Sequence, residues 1–156
     1  MKIMFVCHGN ICRSPMAEFI MKHLIKGRGM CGDFTVCSSA TSTEEIWGDR
    51  GNPMYPPAKR ELRARGIPFT EREAVQLKSS DISKYDLFIG MDSANIRNMY
   101  RILGKEAEGK IFKLLSFTGS DRDVSDPWYS DRFDIAYEDI YKGCCALLEA
   151  ILNKKQ

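Results

Sequence analysis

Residues 7–15 read Cys-His-Gly-Asn-Ile-Cys-Arg-Ser-Pro and put a thiol, a guanidinium and a helix-start signal on one short loop. Backbone N–H groups of such a loop, curled ahead of a helix N-terminus, form a cradle for an oxyanion. Gly9 and Asn10 are residue types that tolerate the left-handed backbone a tight cradle needs. Arg13 adds a planar fork matched to two phosphate oxygens. Cys7 stands at the mouth of the cradle, where the field that holds a phosphate dianion also favours a thiolate. This combination suits nucleophilic attack on a phosphoryl group. With six cysteines in the chain, a bare Cys-x5-Arg is easily met by accident, so the weight rests on the nine-residue context. The loop is not a Walker phosphate-binding loop, because the Gly-Lys-Ser/Thr ending is missing, and Gly9 stands alone rather than in Gly-x-Gly-x-x-Gly. A plain strand–helix turn with a buried Cys7 and a solvent-facing Arg13 is the competing reading. A Cys7–His8 dyad is disfavoured, because adjacent side chains leave a loop in different directions.

Such a loop needs a strand before it and a helix after it. Residues 2–7 (KIMFVC) form a continuous apolar run suited to a strand buried on both faces. Ser14-Pro15 reads as an N-cap and first helical residue. Met16, Phe19, Ile20, His23 and Leu24 then follow at helical spacing, with Gly27 as the stop. Further strands are expected at residues 34–38, 85–91 and 111–115, and further helices at 58–65, 93–103 and 133–152. Residues 47–57, punctuated by Gly48, Gly51, Pro53, Pro56 and Pro57, read as a loop, and 116–131 as a polar, turn-rich stretch. Alternating strands and helices imply a parallel sheet covered on both faces, with ligands bound beyond the carboxyl ends of the strands. The first strand ends at Cys7.

The 156 residues suit a single domain, 1–156, with no repeat or linker to divide it. Lys+Arg 23 against Asp+Glu 21 is too balanced for a nucleic-acid-wrapping protein. No apolar run approaches the roughly 18 residues of a membrane span, and no signal or lipidation motif is visible. The expectation is a soluble, cytoplasmic protein, monomeric, whose cysteines are reduced.

Residues 6–15 resemble the signature of low-molecular-weight protein tyrosine phosphatases, as do Gly90-Met91-Asp92 with Asn95 and Asp126-Pro127-Trp128-Tyr129. Length and element order match that family over essentially the whole chain. The resemblance implies an α/β fold of flavodoxin-like type, with a four-stranded parallel sheet and helices on both faces. It also implies phosphomonoester hydrolysis without a metal or other cofactor, acting on phosphotyrosine-containing protein. On matching positions, Cys7 is the nucleophile, Arg13 binds the phosphoryl oxygens and Asp126 is the general acid. His8, Gly9, Asn10, Ile11, Cys12 and Ser14 complete the phosphate-binding loop, with Asn10, Ser14 and Ser38 holding its shape. The physical argument for Asp126 runs alongside: an Asp-Pro on a polar loop can lean over the cleft and protonate a leaving oxygen. Between Asp121 and Asp139 stand seven Asp/Glu against two Arg, a setting that favours a protonated carboxyl. Most of that acidic run reads as a solvated face.

Trp47, Trp128 and Tyr129 are expected at the rim, suited to flank an aryl phosphate. Related arginine phosphatases carry a Thr where this chain has Ile11, so Ile11 favours phosphotyrosine. Cys12 is expected to close a reversible disulfide with Cys7 under peroxide, as the family does to protect its nucleophile. The other four cysteines read as core or surface thiols. Three stretches depart from the family: Arg72 stands where it has a supporting histidine, Tyr55-Pro56-Pro57-Ala58 replaces Asp-Pro-Arg-Ala, and Ser38-Ser39-Ala40 replaces a Ser-Ala-Gly turn. The rival readings are an arginine phosphatase or an arsenate reductase on the same fold, a Cys7/Cys12 redox sensor, and a phosphopeptide-binding module without turnover. Residues 78–95 lack the extra cysteines that arsenate reduction needs.

Overall fold

The computed structural model describes residues 1–154. In chain order the elements are β1 (Lys2–Cys7), α1 (Arg13–Gly27), β2 (Thr35–Ala40), β3 (Ile46–Trp47), β4 (Arg50–Gly51), α2 (Pro56–Ala64), β5 (Leu87–Gly90), α3 (Ser93–Leu103), β6 (Ile111–Lys113), α4 (Pro127–Ser130) and α5 (Phe133–Lys154). Four strands form a parallel sheet in the order β2-β1-β5-β6. The chain leaves β1 for one neighbour and later returns to the other, so the winding reverses between β1 and β5. Loops after those two strands diverge there and open a crevice.

Strand alternation distributes β1 between two layers. Ile3, Phe5 and Cys7 face the layer built from α1, α2 and α5, and Met4 and Val6 face the layer of α3 with Phe88, Met99 and Leu103. Phe5 and Phe88 are fully covered, each burial contributing about 1.5–3 kcal/mol. The same parity that buries Ile3 and Phe5 therefore delivers the Cys7 side chain beneath the start of α1. Gly90 ends β5 where a Cβ would lie 2.7 Å from Met99 Cε and 3.1 Å from Asn95 Cβ, so α3 sits close enough to present Asp92 to the crevice.

Several boundaries differ from the sequence reading. Residues 47–57 are not all loop: Ile46–Trp47 and Arg50–Gly51 pair as a short antiparallel hairpin around Gly48, whose φ is 64°. The helix expected at 58–65 begins at Pro56, because a first helical turn needs no amide donor from Pro56 or Pro57. β2 runs on to Ala40, while β6 stops at Lys113 and continues as a 3-10 turn over Leu114–Thr118. β5 is trimmed to Leu87–Gly90, and α5 extends to Lys154. Ser14 is not the cap of α1. That helix starts at Arg13 with Cys12 at the cap position and no side-chain cap bond, because the Ser14 hydroxyl is engaged by Cys7 and Asn10. His23 is exposed, and Met21 and Ile25 complete the buried stripe instead.

Candidate active site

The loop between β1 and α1 has its carbonyls turned outward and occupied. Cys7 O accepts from Thr41 N at 3.0 Å, His8 O from Ser42 N at 3.0 Å, Ile11 O from Tyr55 N at 2.7 Å and Cys12 O from Met16 N at 3.0 Å. Asn10 O accepts from Arg72 Nη1 at 3.1 Å. The amides of residues 9–13 have no protein acceptor among the described residues. A curl whose carbonyls are engaged while successive amides are not is suited to bind an anion as a nest. Its turn depends on Asn10, which holds φ at 58°. Outside glycine that conformation is best tolerated by asparagine and aspartate.

Asn10 is fully buried, and every hydrogen-bonding site of its amide is used. Oδ1 accepts from Arg72 Nη2 at 2.7 Å and from Val75 N at 2.9 Å, both donors only. The Nδ2 hydrogens therefore face the serines, donating to Ser14 Oγ at 2.8 Å and Ser38 Oγ at 3.0 Å. Ser38 passes its own proton to Glu18 Oε1 at 2.6 Å. Ser14 Oγ, which accepts from Asn10, lies 3.0 Å from Cys7 Sγ, and Ser14 N donates to the same sulfur at 3.4 Å. The network thus brings one fixed amide donor and one hydroxyl able to donate up to the sulfur.

Arg72 takes the place of the histidine expected from the family. It is held between Asn10 and Glu18, with Nε 3.8 Å from Glu18 Oε1, and Lys22 Nζ lies 2.7 Å from the other oxygen of that carboxylate. Burial lowers its pKa, an effect that Glu18 and Cys7 partly oppose. Glu18 is the residue that sequence reasoning missed. Its signal was local: it stands four residues after Ser14, on the same helix face, inside an otherwise apolar run.

Arg13 forms the floor, with its side chain only 4 % exposed. Nη1 donates to Asp92 Oδ2 and to Val124 O, both at 2.9 Å, leaving Nε and Nη2 for a ligand. Burial works against its charge, but Cys7, Asp92 and Asp126 outweigh that and hold the guanidinium above the ordinary arginine value. Asp92 therefore reaches the site itself, while Asn95 braces it by accepting from the amides of Met91 and Asp92 at 3.0 and 3.1 Å. Asp126 stands across the cleft as the cap of α4. Its Oδ1 accepts from Trp128 N at 3.0 Å, and its Oδ2 lies 3.6 Å from Arg13 Nη2. The acidic run around Asp126 is largely paired with cations, through Asp123–Lys113, Asp139–Arg122, Asp134–Arg132 and Glu138–Arg65.

The cleft measures about 350 Å³. Cys7, Cys12, Arg13 and Asp126 lie among its lining, together with apolar Ile11, Trp128 and Tyr129 and polar His8, Glu44 and Glu45. Trp128 is backed by Tyr55 at 5.1 Å between ring centroids. Trp47 does not line the cleft: the hairpin turns it out to 59 % exposure, and the preceding glutamates take the rim. Glu45 packs near Gly9, and Glu44 pairs with His8 Nε2 at 3.0 Å. All six cysteines are free thiols. Burial first, then the nearby Cys7, push the Cys12 thiol well above its ordinary value. Among the described residues no helix is long and apolar enough to cross a membrane, and no group of three or more His, Cys, Asp or Glu is arranged to hold a metal.

Residues 2–156 match the family described as low molecular weight phosphotyrosine protein phosphatase. The chain is 36 % identical over 156 residues to the low molecular weight protein-tyrosine-phosphatase YfkJ of Bacillus subtilis, covering 99 % of this chain and 97 % of that one. The crystal structure of YfkJ superposes with a TM-score of 0.90 at 35 % identity, covering 100 % and 97 % of the two chains. The PtpA phosphatase of Staphylococcus haemolyticus is 36 % identical over 152 residues, 97 % of this chain and 94 % of that one. YwlE of Bacillus subtilis, an arginine phosphatase, shares the fold at a TM-score of 0.83 and 25 % identity, covering 97 % and 98 %. An anion nest at a strand–helix junction, an arginine floor and a match along nearly the whole chain lead to one assignment: this protein is a phosphatase of the low molecular weight protein tyrosine phosphatase family.

Proposed function

We propose that the enzyme hydrolyses phosphotyrosine through a phosphate ester of Cys7. The observation that carries this reading is the nest itself, with unengaged amides of residues 9–13, and the amide and hydroxyl of Ser14 both meeting Cys7 Sγ in a cleft that Arg13 also lines. A phosphoryl dianion seated there places phosphorus against the sulfur, its three equatorial oxygens on backbone amides and on Nε and Nη2 of Arg13. In-line attack by the Cys7 thiolate forms the S–P bond as the P–O bond to the leaving group breaks. Developing charge on the equatorial oxygens is met by donors already in position. Asp126 gives its proton to the leaving oxygen, then as a carboxylate takes a proton from the water that cleaves the S–P bond.

Ile11 and the exposed faces of Trp128 and Tyr129 supply an apolar wall for a planar aryl ring. The likeness to YwlE brings in phosphoarginine as the second reading, and one experiment separates the two. Turnover on phosphotyrosine, phosphoarginine and phosphoserine peptides with a single preparation is expected to favour phosphotyrosine by at least about 10²-fold. A preference for phosphoarginine assigns the second reading instead. Cys7→Ser is expected to lose turnover altogether, and retained turnover refutes the Cys7 ester. Cys12 fits the role of resolving thiol. Peroxide oxidises Cys7 to a sulfenic acid, and the Cys12 thiol displaces water from it to close the disulfide.

A further inference from the structure

The segment leading to Asp126 is tied down at successive residues by groups from three other elements. Lys113, the last residue of β6, donates from Nζ to Asp121 O at 2.7 Å and to Ser93 Oγ at 3.0 Å, and lies 2.8 Å from Asp123 Oδ1. That Asp123 oxygen also accepts from Ser93 N at 3.1 Å and from the Ser93 hydroxyl at 3.3 Å, at the start of α3. Arg122 grips the Asp139 carboxylate of α5 with both terminal nitrogens, at 2.8 and 2.9 Å, and Asp139 is only 7 % exposed. Val124 N then donates to Met91 O at 2.9 Å, and Val124 O receives Arg13.

These ties do work that packing does not. Residues 121–123 are all exposed, and Val124 is the first buried side chain after Leu115 in this stretch. An exposed segment with few apolar contacts opens easily unless its polar groups are held. Proton transfer needs the donor within about 2.6–3.2 Å of the leaving oxygen, and a displacement of about 1 Å can cost about 10²-fold in rate. Asp126 lies two residues beyond Val124, so its placement across from Arg13 inherits whatever freedom residues 121–124 have.

We propose that Lys113 and Arg122 are positioning residues for leaving-group protonation: their ion pairs fix the segment so that Asp126 stands ready before substrate arrives. The proposal rests on Asp126 being the general acid, and the test keeps the two apart. The readout is kcat/KM, which reports steps up to departure of the first product, on phenyl phosphate, a poor leaving group, and on 2,4-dinitrophenyl phosphate, a good one. Lys113→Met is expected to lower kcat/KM on phenyl phosphate about 5-fold, and its combination with Arg122→Gln about 10-fold, with under about 2-fold change on the dinitrophenyl ester. Lys113→Arg, which keeps the cation, restores most of the phenyl phosphate activity. Asp126→Asn is the reference. If it shows the leaving-group split and the Lys113 and Arg122 variants do not, the positioning role is refuted and the general acid stands. If Asp126→Asn shows no split, both fall. An equal loss on both esters marks a merely structural role and also refutes the proposal. Arg122→Gln strips a buried carboxylate of its partner, so Lys113→Met alone decides the matter if the double variant does not fold.

Discussion

The two arms of this active site are held by different physics. The phosphate-binding loop is fixed from beneath by a buried network, in which Asn10 is fully covered, its side-chain partners Ser14, Ser38 and Arg72 come from α1, β2 and the segment after α2, and Glu18 of α1 accepts in turn from Ser38. The segment carrying Asp126 is fixed from its sides by ion pairs with one solvent-facing member, Arg122 at 58 % and Asp123 at 47 % side-chain exposure, and one covered member, Asp139 and Lys113. Buried hydrogen bonds have no competing water and are little affected by salt, whereas pairs with one solvent-facing member are reached by water and weaken with ionic strength. In the proposed mechanism the nest must hold one geometry through both chemical steps, whereas the acid has only to deliver and recover a proton, and its lighter fastening suffices.

Damage to the nest should therefore slow every substrate alike, and damage to the acid arm should slow poor leaving groups selectively. The largest effect is expected for Arg13→Lys, which loses the planar fork: a fall in kcat/KM of about 10²–10³-fold, equal on phenyl and dinitrophenyl phosphate. Asp126→Asn is expected to lower phenyl phosphate turnover about 10²-fold and leave the dinitrophenyl ester within a few-fold. An equal loss on both would erase the division of labour between the arms.

Arg72→Met tests the network beneath the nest. It removes two hydrogen bonds to Asn10 and one of the two cations beside Glu18, while Val75, Ser14, Ser38 and Lys22 stay in place, so thermal or denaturant unfolding should show a loss of about 1–3 kcal/mol. Activity should fall about 10-fold with no leaving-group dependence, and a leaving-group split here would contradict the comparison. A smaller effect is expected from salt. Near 1 M, where the Debye length is about 3 Å, amide exchange over residues 119–126 should quicken several-fold while residues 9–14 do not respond.

The smallest effect is an acid one. Burial alone would raise the Asp123 carboxyl, but Lys113 and the Ser93 donors outweigh it, leaving it below its ordinary value. A depressed carboxyl stabilises the folded arm above its unfolded pKa of about 3.9 and ceases to do so as pH falls through the folded value. Exchange of residues 119–126 should accordingly rise below about pH 4, ahead of that in residues 9–14. Asp123→Asn should remove this pH dependence.

Local patterns carried much of the design. The apolar run KIMFVC, strand parity and the Gly-Asn pair determined where Cys7 would emerge, which layer it would face and where the backbone would turn. The Asp-Pro pair marked a polar loop able to bring a carboxylate over the cleft, although the sequence reads there as turn-rich, without the short helix Pro127–Ser130 that Asp126 caps. These are short-range facts, set by alternation, helical spacing and the conformational range of single residue types. Tertiary structure decided the partners. Nothing near Asn10 in the chain announces that Arg72, 62 residues away, will orient its amide, because that contact depends on the path of the chain after α2. Ser14 has the composition of a helix cap and gave up that role once folding brought Asn10 and Cys7 to its hydroxyl. Trp47 and Glu45 lie two residues apart, and only the hairpin settled which would line the cleft. Sequence spacing reports neighbours within a turn or a strand, whereas strand order and loop path choose the partners of groups far apart in the chain.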